Sequence, residues 1–406
     1  MLKGKTVVVG VTGGIAAFKS AQLVSDLVKE GCNVNVVMTK NALNFINPIT
    51  FETLTGNKCL TDTFDRNFEF NVEHVALSQR ADIFIIAPAT ANVIGKLANG
   101  IADDMITTMV LAAKCDIIIA PAMNTFMYKN PIVQENIEKL KKHGFVIIEP
   151  DSGRLACGDN GKGKLPDTKT LIAYIKRQIE YKKDMNGIRL TVTAGPTAEA
   201  LDPVRFITNH STGKMGYAIA QAAAYRGADV TLISGPVSID PPYFTNIIHV
   251  RSAEDMFRAV SQQNNKYDVL IMSAAVADYT PAEYSEHKIK KNDGEIYLPL
   301  KRTRDILEYA GKNKNEAQLI CGFSMETRDL IHNSRKKLIS KNCDIIAANS
   351  INERGSGFGT DTNKITLITH DDCEELDLLS KSEAAHKLLD KLLDMRNSKL
   401  SEKTSE

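Results

Sequence analysis

The sequence predicts an α/β protein built from two Rossmann-like domains in tandem. Three observations carry this. At 406 residues the chain exceeds what one ordinary core accommodates. A β-branched apolar run, a glycine turn, a helix-periodic segment and a second apolar run follow one another from Lys5 to Thr39, and the same order recurs from Ile188 to Ser234. Further short apolar runs, Ala81–Pro88, Cys115–Pro121 and Tyr267–Ala275, are spaced as the later strands of parallel sheets.

Composition narrows the class. The chain is 43% hydrophobic and 24% charged, as in a globular protein, and its formal net charge of +1 steers it to neither nucleic acid nor an anionic membrane. No apolar run reaches the length of a membrane span. The opening MLKGKTVVVGVTGG enters a strand directly and lacks a cleavable signal pattern, so a cytoplasmic location is expected. The cysteines at 32, 59, 115, 157, 321, 343 and 373 form no Cys-x-x-Cys pair, so neither a disulfide framework nor a zinc site is expected.

In the first half, Lys5–Val11 is a strand, Ile15–Glu30 a helix with Ile15, Phe18, Leu23 and Leu27 at helical spacing, and Asn33–Thr39 a second strand. The intervening turn, Gly10-Val-Thr-Gly-Gly14, is not Gly-x-Gly-x-x-Gly, so the dinucleotide fingerprint is absent. Glycines ahead of a helix N-terminus offer free N–H groups to an anion, and a mononucleotide phosphate fits there; a plain tight turn reads equally well. Ala81–Pro88 and Cys115–Pro121 each end in Ala-Pro and a polar cluster, Pro88-Ala-Thr-Ala-Asn92 and Pro121-Ala-Met-Asn124. Ligands of open α/β sheets bind at the carboxyl ends of strands, so the two clusters point to one pocket. Asn92–Ala113 reads as helices, Pro131–His143 as a helix and Gly144–Glu149 as a strand. His74 falls on a short helix ahead of the third strand; a lone histidine there is ordinarily a solvated or satisfied side chain.

Asp151–Asp167 (DSGRLACGDNGKGKLPD) carries glycines at 153, 158, 161 and 163 around the single thiol of Cys157. Such a run fits neither a helix nor a central strand and reads as a mobile loop; an incidental cysteine on a surface loop is the plainer alternative.

Val9-Gly-Val-Thr-Gly-Gly-Ile-Ala-Ala17, His74-Val-Ala-Leu77, Pro88-Ala-Thr-Ala-Asn92, Pro121-Ala-Met-Asn124 with Met127, and Ala156-Cys-Gly-Asp159 occur in this order. Together they resemble the flavin-dependent phosphopantothenoylcysteine decarboxylases. The resemblance implies FMN over the first β–α turn, with Thr12, Gly13, Gly14, Thr39, Pro88, Thr90 and Asn92 as its contacts. It implies His74 as active-site base, Asn124 and Met127 on the substrate carboxylate, and Cys157 on a flap as proton donor. The chemistry explains these types. A cysteine carboxylate cannot lose CO2 without an electron sink. Two-electron oxidation of its thiol carbon to a thioaldehyde provides one, and the enethiolate left after decarboxylation is then reduced and protonated. A thiol of ordinary pKa near ~8.5 is a tunable acid for that last proton. The sequence of steps is redox-neutral, in keeping with the missing dinucleotide fingerprint, and a closing flap keeps water from the labile intermediate.

Leu171–Met185 reads as an amphipathic helix, and Asn186-Gly187 as a break, which places the boundary near Lys183–Gly187 and the domains at 1–186 and 187–406. In the second half, strands are expected at Ile188–Thr193, Asp229–Ser234, Tyr267–Ala275, Gln318–Met325, Cys343–Ala348 and Lys364–Thr369. Helices are expected at Gly216–Arg226, Asp329–Lys341 and Ser382–Met395, with a frayed charged tail. The insert Gly195–Gly216 is too long for a simple β–α turn. Gly213-Lys214 is no P-loop: the spacing fails, and Met215 stands where a Mg²⁺-binding Ser or Thr is needed. Lys288-Ile-Lys-Lys291 is either a solvated charged face or a polyphosphate clamp.

Thr193-Ala-Gly-Pro-Thr197, Leu201-Asp-Pro-Val-Arg205, Asn209-His-Ser-Thr-Gly-Lys-Met-Gly216, Ala274-Ala-Val-Ala-Asp-Tyr279 and Lys288-Ile-Lys-Lys291 resemble the bacterial-type phosphopantothenate–cysteine ligases over nearly the whole half. The resemblance implies CTP as co-substrate with Mg²⁺. The phosphopantothenate carboxylate attacks the α-phosphate to give an acyl-cytidylate and pyrophosphate, and the cysteine amine then displaces CMP. By the same resemblance Asn209 holds the carboxylate and acyl-cytidylate, and Arg205 is a substrate contact. Met272, Ser273, Ala274, Asp278, Asp305, Ile306 and Phe323 contact the nucleotide. Lys288, Lys337 and Lys341 sit on phosphates, Lys288 also serves the second step, and Asp278 binds the metal. Arg302-Thr-Arg-Asp-Ile-Leu307 keeps only Asp305-Ile306 of the family's Asn-Pro-Asp-Ile, which leaves Thr303 and Arg304 without an inherited role.

The two halves fit one pathway, since the ligase product is the decarboxylase substrate of coenzyme A synthesis. The resemblance further implies a homo-oligomer of trimeric decarboxylase and dimeric ligase units, up to a dodecamer, acting on small molecules and on neither nucleic acid nor membrane. The rival readings are a flavin-binding protein without activity, a two-domain nicotinamide reductase, and a decarboxylase of another thiol-bearing substrate.

Overall fold

A computed structural model describes residues 2–62, 73–154, 158, 160–290, 295, 297–326, 329–350, 357 and 359–404, with backbone alone at 73–75, 326, 350 and 402–404. The chain divides into two compact units, Met1–Tyr181 and Lys182–Glu406.

The first unit runs β1 (Thr6–Val11), α1 (Ala17–Lys29), β2 (Asn33–Met38), α2 (Pro48–Thr55), α3 (Glu73–Arg80), β3 (Ile83–Ala89), α4 (Ala91–Ala98), α5 (Met105–Ala112), β4 (Asp116–Pro121), α6 (Thr125–Lys129), α7 (Pro131–Lys142), β5 (Val146–Ile147), β6 (Asp151–Arg154), β7 (Asn160–Lys164) and α8 (Thr168–Ile179). The sheet order is β2-β1-β3-β4-β5, with every pairing parallel. Alternation along β1 explains the two layers. Val7, Val9 and Val11 pack with Leu23, Leu27, Phe51 and Leu171 on one face, while Val8 packs with Leu77, Ile94, Ile106 and Leu140 on the other.

The second unit runs β8 (Arg189–Ala194), β9 (Ala198–Ala200), β10 (Phe206–Thr208), α9 (Lys214–Tyr225), β11 (Asp229–Ser234), β12 (Thr245–His249), α10 (Ala253–Gln262), β13 (Val269–Met272), β14 (Tyr279–Pro281), β15 (Leu300–Arg302), α11 (Ile306–Asn313), β16 (Leu319–Glu326), α12 (Leu330–Ser340), β17 (Ile345–Ser350), β18 (Thr362–Asn363), β19 (Thr366–Ile368), β20 (Cys373–Glu375), β21 (Leu379–Ser380) and α13 (Lys381–Thr404). Its main sheet has the order β12-β11-β8-β13-β16-β17-β19-β20, parallel through β17 and antiparallel at β19 and β20. Leu190 and Val192 face Ile219, Ala223, Leu388 and Leu392, and Leu270 and Ile320 face Met256, Val260, Ile306 and Leu338.

Three expectations are corrected. The glycine-rich stretch expected as a loop forms the antiparallel arms β6 and β7. A hairpin off the main sheet needs few side chains, which is why glycine is tolerated there. The helix expected to reach Met185 stops at Ile179, because Met185 is buried in the second unit's core beside Ile188. The tail expected to fray continues α13 to Thr404, where Lys399 donates to Asp344 Oδ1 at 2.8 Å. β12, α10 and α11 carry no clear sequence signal. α10 and α11 are short, and the Ser252 capping box and the Asp305 cap that start them lie in segments read only as links.

Candidate functional sites

The strand order of the first unit reverses between β1 and β3, where open sheets of this order take a ligand. Three features meet at that crevice. Thr12 follows β1; its buried hydroxyl donates to Pro88 O at 2.7 Å and accepts from Thr90 N at 3.0 Å, tying the ends of β1 and β3 together. Gly13 lies so close to Asn41 that a Cβ on it would stand 2.5 Å from the Asn41 Cβ. α1 then begins with no side-chain cap and no acidic residue in its first turn, leaving its amide end open to an anion. Beside them Thr39, at the end of β2, buries a hydroxyl without a partner among the described residues. A flavin phosphate and its polar chain fit this set. Pro88 is buried, Thr90 caps α4 through Val93 N, and Asn92 is exposed on the first turn of that helix.

The hairpin is fastened beside the end of β4. Gly163 O accepts from Met123 N at 3.0 Å, and a Cβ on Gly163 would fall 2.2 Å from Met123 O. Lys162 pairs with Glu149 at 2.5 Å, and Glu149 also accepts from Tyr128 of α6 at 3.0 Å. Burial and that carboxylate push the Tyr128 phenol up to about 12. Asn124 caps α6 through Phe126 N at 2.8 Å, and Met127 projects half exposed from the same turn. The arms therefore close over the residues expected to hold a carboxylate. Cys157, between the arms in the chain, lies outside the described residues, and so does the side chain of His74, whose backbone is on α3.

In the second unit the strand order reverses between β8 and β13, and a cavity of about 770 Å³ opens at those strand ends. It gathers Met272, Ser273, Ala274, Asp278, Asp305, Ile306, Phe323, Lys337 and Lys341 from segments up to 69 residues apart (341 − 272). Lys341 is held between Asp305 at 2.8 Å and Glu308 at 3.0 Å, which raises its pKa, the Asp305 bond contributing most. Lys312 and then Lys341 lower Glu308 to about 2. Lys337 donates to Phe323 O at 2.8 Å. Asp278 is exposed toward the cavity, and its carboxylate has no hydrogen bond or ion pair among the described residues. With Asp305 and Glu308 committed to Lys341, the Asp278 carboxylate suits Mg²⁺, which takes few protein ligands and the phosphates of its substrate.

Three expected residues lie beside this cavity rather than in its wall. Asn209 borders an adjoining groove with Pro196, Phe206 and Arg251, and donates to Ala275 O at 3.1 Å. Arg205 pairs with Asp202 at 3.3 Å and donates to Ile289 O, while Asp202 also accepts from Ile289 N at 3.1 Å. The Leu201–Arg205 loop thus grips the segment bearing Lys288, which is exposed. Asp202 was not anticipated. Burial raises its carboxylate, but the amides of Ile289, Val204 and Arg205 outweigh this and hold it low. The cavity wall also includes Thr303 and Arg304, to which the resemblance gave no role, and Lys214, Asn349, Asn363 and Lys381, none of them expected. Arg304 stacks 4.6 Å over Phe257 and pairs with Glu254 at 3.4 Å.

Residues 1–180 match the Flavoprotein family, and residues 185–395 match the DNA/pantothenate metabolism flavoprotein C-terminal domain. The coenzyme A biosynthesis bifunctional protein CoaBC of Bacillus subtilis strain 168 is 47% identical over 396 residues, 97% of each chain. Its namesake from Borreliella burgdorferi is 40% identical over 391 residues, 96% of this chain and 99% of its own. A cysteine/cysteine sulfinic acid decarboxylase from an unknown prokaryotic organism is 44% identical over 354 residues, 86% of this chain and 99% of its own. With both halves matched in tandem and relatives aligned almost from end to end, the chain belongs to the family of coenzyme A biosynthesis bifunctional proteins, CoaBC.

Proposed function

We propose that the chain converts 4′-phosphopantothenate and cysteine to 4′-phosphopantetheine in two stages. The second unit ligates the two substrates with CTP and Mg²⁺, through an acyl-cytidylate. The first unit then decarboxylates the product with FMN, which supplies reversible two-electron oxidation of the thiol carbon. The observation that carries this is the pairing, on one chain, of an uncapped mononucleotide crevice with a cation-rich cavity at a second switch point. A decarboxylase acting on ready-made thiols has no use for the second, and this favours the bifunctional reading over the single activity named for the cysteine decarboxylase relative.

The residues divide the work. Thr12, Gly13, Gly14 and the open end of α1 seat the flavin phosphate, with Thr39, Pro88, Thr90 and Asn92 around it. Asn124 and Met127 hold the substrate carboxylate, His74 takes a proton, and Cys157 returns the last one. In the ligase, Asn209 and Arg205 orient the acyl group. Met272–Ala274, Asp305, Ile306 and Phe323 hold the nucleoside, and Asp278 carries Mg²⁺. Lys337, Lys341 and Lys288 offset phosphate charge, and Lys288 acts again when the amine displaces CMP. Ile15, Phe18, Phe126 and Met127 stand exposed near the flavin crevice, apolar surface of the kind a second copy covers, which supports trimeric decarboxylase units. Dimeric ligase units and a dodecamer complete the proposed assembly. The proposed location is the cytoplasm; no described helix is long and apolar enough to cross a membrane.

The test is a coupled assay on the yellow protein with phosphopantothenate, cysteine, Mg²⁺ and either CTP or ATP. Pyrophosphate with CTP, followed by CO2, is expected. Neither product from folded flavoprotein contradicts the reading.

A further inference from the structure

The charges around the nucleotide cavity are not balanced evenly. Lys341 is matched by Asp305 and Glu308, and Arg304 by Glu254. The wall also includes Gly213–Met215 at the start of α9, Asn363 of β18 and Lys381 at the start of α13. Asn363 is 2% exposed, and its amide reaches Met215 Sδ at 3.9 Å, so β18 seats directly on the first turn of α9. α9 begins at the left-handed Gly213 with no side-chain cap and no acid in its first turn.

Lys381 is 7% exposed. Its ammonium donates to Thr360 O at 2.5 Å and Gly357 O at 3.2 Å, two neutral carbonyls, which among the described residues leaves one of its three donors. Asp361, whose charge reaches Lys381, is committed to Lys214 at 2.7 Å. Burial, and then the charge of Lys214, press the Lys381 ammonium toward its neutral form. An enclosed cation with carbonyl partners and, among the described residues, no ion pair of its own is stabilised by an anion in the cavity it faces.

We infer that Lys381, with Lys214 and the open end of α9, holds the β- and γ-phosphates of the nucleoside triphosphate and receives the pyrophosphate leaving group. This rests on the CTP-dependent ligase reading of the same cavity. In the step concerned, a carboxylate oxygen of the acyl substrate forms a bond to the α-phosphorus. The bond from that phosphorus to the bridging oxygen breaks, and the electron pair goes to the β-phosphate as pyrophosphate. No proton moves. The charge growing on the leaving group is met by a cation already desolvated, so little reorganisation is needed. Lys337 and Lys341 are left to the nucleoside and α-phosphate.

The test compares three ligands, CTP, CMP and inorganic pyrophosphate, on full-length holoprotein carrying Lys381→Gln, with Lys381→Arg as the charge-keeping variant. Loss of one charged hydrogen bond weakens CTP and pyrophosphate by about tenfold or more, while CMP, which lacks the outer phosphates, binds within about twofold of wild type. Lys381→Arg recovers part of the pyrophosphate affinity. A variant in which CMP weakens in parallel with CTP, as when Lys381 only braces the 357–361 segment, overturns the inference. So does a variant that binds pyrophosphate as wild type does. Wild-type protein that binds CMP but gains nothing from the outer phosphates also overturns it. Wild-type protein that binds no cytidine nucleotide at all overturns the ligase reading itself, and the inference with it.

Discussion

Thr12 and Pro88 are joined by a 2.7 Å hydrogen bond from the threonine hydroxyl to the proline carbonyl, and the same oxygen accepts from Thr90 N. One side chain thereby fixes the spacing of the two strand ends that form the flavin crevice. Thr12→Val keeps the shape but leaves a buried carbonyl and an amide without partners. The expected cost is about 1–3 kcal/mol in urea unfolding of the first unit, with flavin retention falling and CTP binding unchanged. Thr12→Ser restores both.

Gly163→Ala pries the hairpin from its seat, because a Cβ there collides with Met123 O. CO2 release is expected to fall by about 10²-fold, since displacing a flap residue by an ångström removes that much. Pyrophosphate release from the other domain stays at the wild-type rate. Parallel loss of both activities contradicts the division of labour.

Glu308 reports on the pairing of Lys341. With a carboxyl held near 2 by Lys312 and Lys341, against an ordinary value of 4.5, its folded form is the stronger acid. The stability it contributes is present above pH 4.5 and is lost as pH falls through 2. Lys341→Met is expected to move the Glu308 carboxyl resonance midpoint upward in an NMR titration, with Lys312 retaining part of the depression. An unmoved midpoint contradicts the pairing.

Lys399→Met tests the end of α13. Asp344 is buried, which raises its carboxyl, but Lys314 and Lys399 together with the Ile320 amide bring it below the ordinary range. Removal of one of the two ammonium partners is expected to destabilise the second unit by about 1–3 kcal/mol at pH 7. The difference from wild type shrinks in acid as Asp344 protonates. A tail without structure predicts no effect.

Much of this architecture is legible in the sequence because parallel strands buried on both faces leave short β-branched runs, and glycine turns mark where helices begin. The run ending at Pro88 and the one ending at Pro121 announce strand ends, and their Thr90 and Asn124 both prove to cap the helices that follow. Lys381 was not legible. It lies 167 residues from Lys214 (381 − 214), and the pairing of β18 with β21 and the packing of α13 on α9 bring the start of α13 to the cavity. Nor was the hairpin, since Gly153 and Gly163 deny it the alternation by which strands are read; what pairs it is the backbone. Asp202 was hidden for a third reason. An acid in a Pro-containing loop reads as turn chemistry, and its grip on Ile289 appears only when the Lys288 segment folds back over it.

The central claim is that two active sites on this chain work in series, the second consuming what the first makes. The most direct measurement is the mass of the product that accumulates when Cys157→Ser protein is given phosphopantothenate, cysteine, Mg²⁺ and CTP. The account predicts 4′-phosphopantothenoylcysteine in step with pyrophosphate, and CO2 that stops once each flavin has turned over once, because the enethiolate left by that turnover lacks its proton donor. Phosphopantetheine at the wild-type rate, or no thiol product at all beside intact flavin, contradicts it.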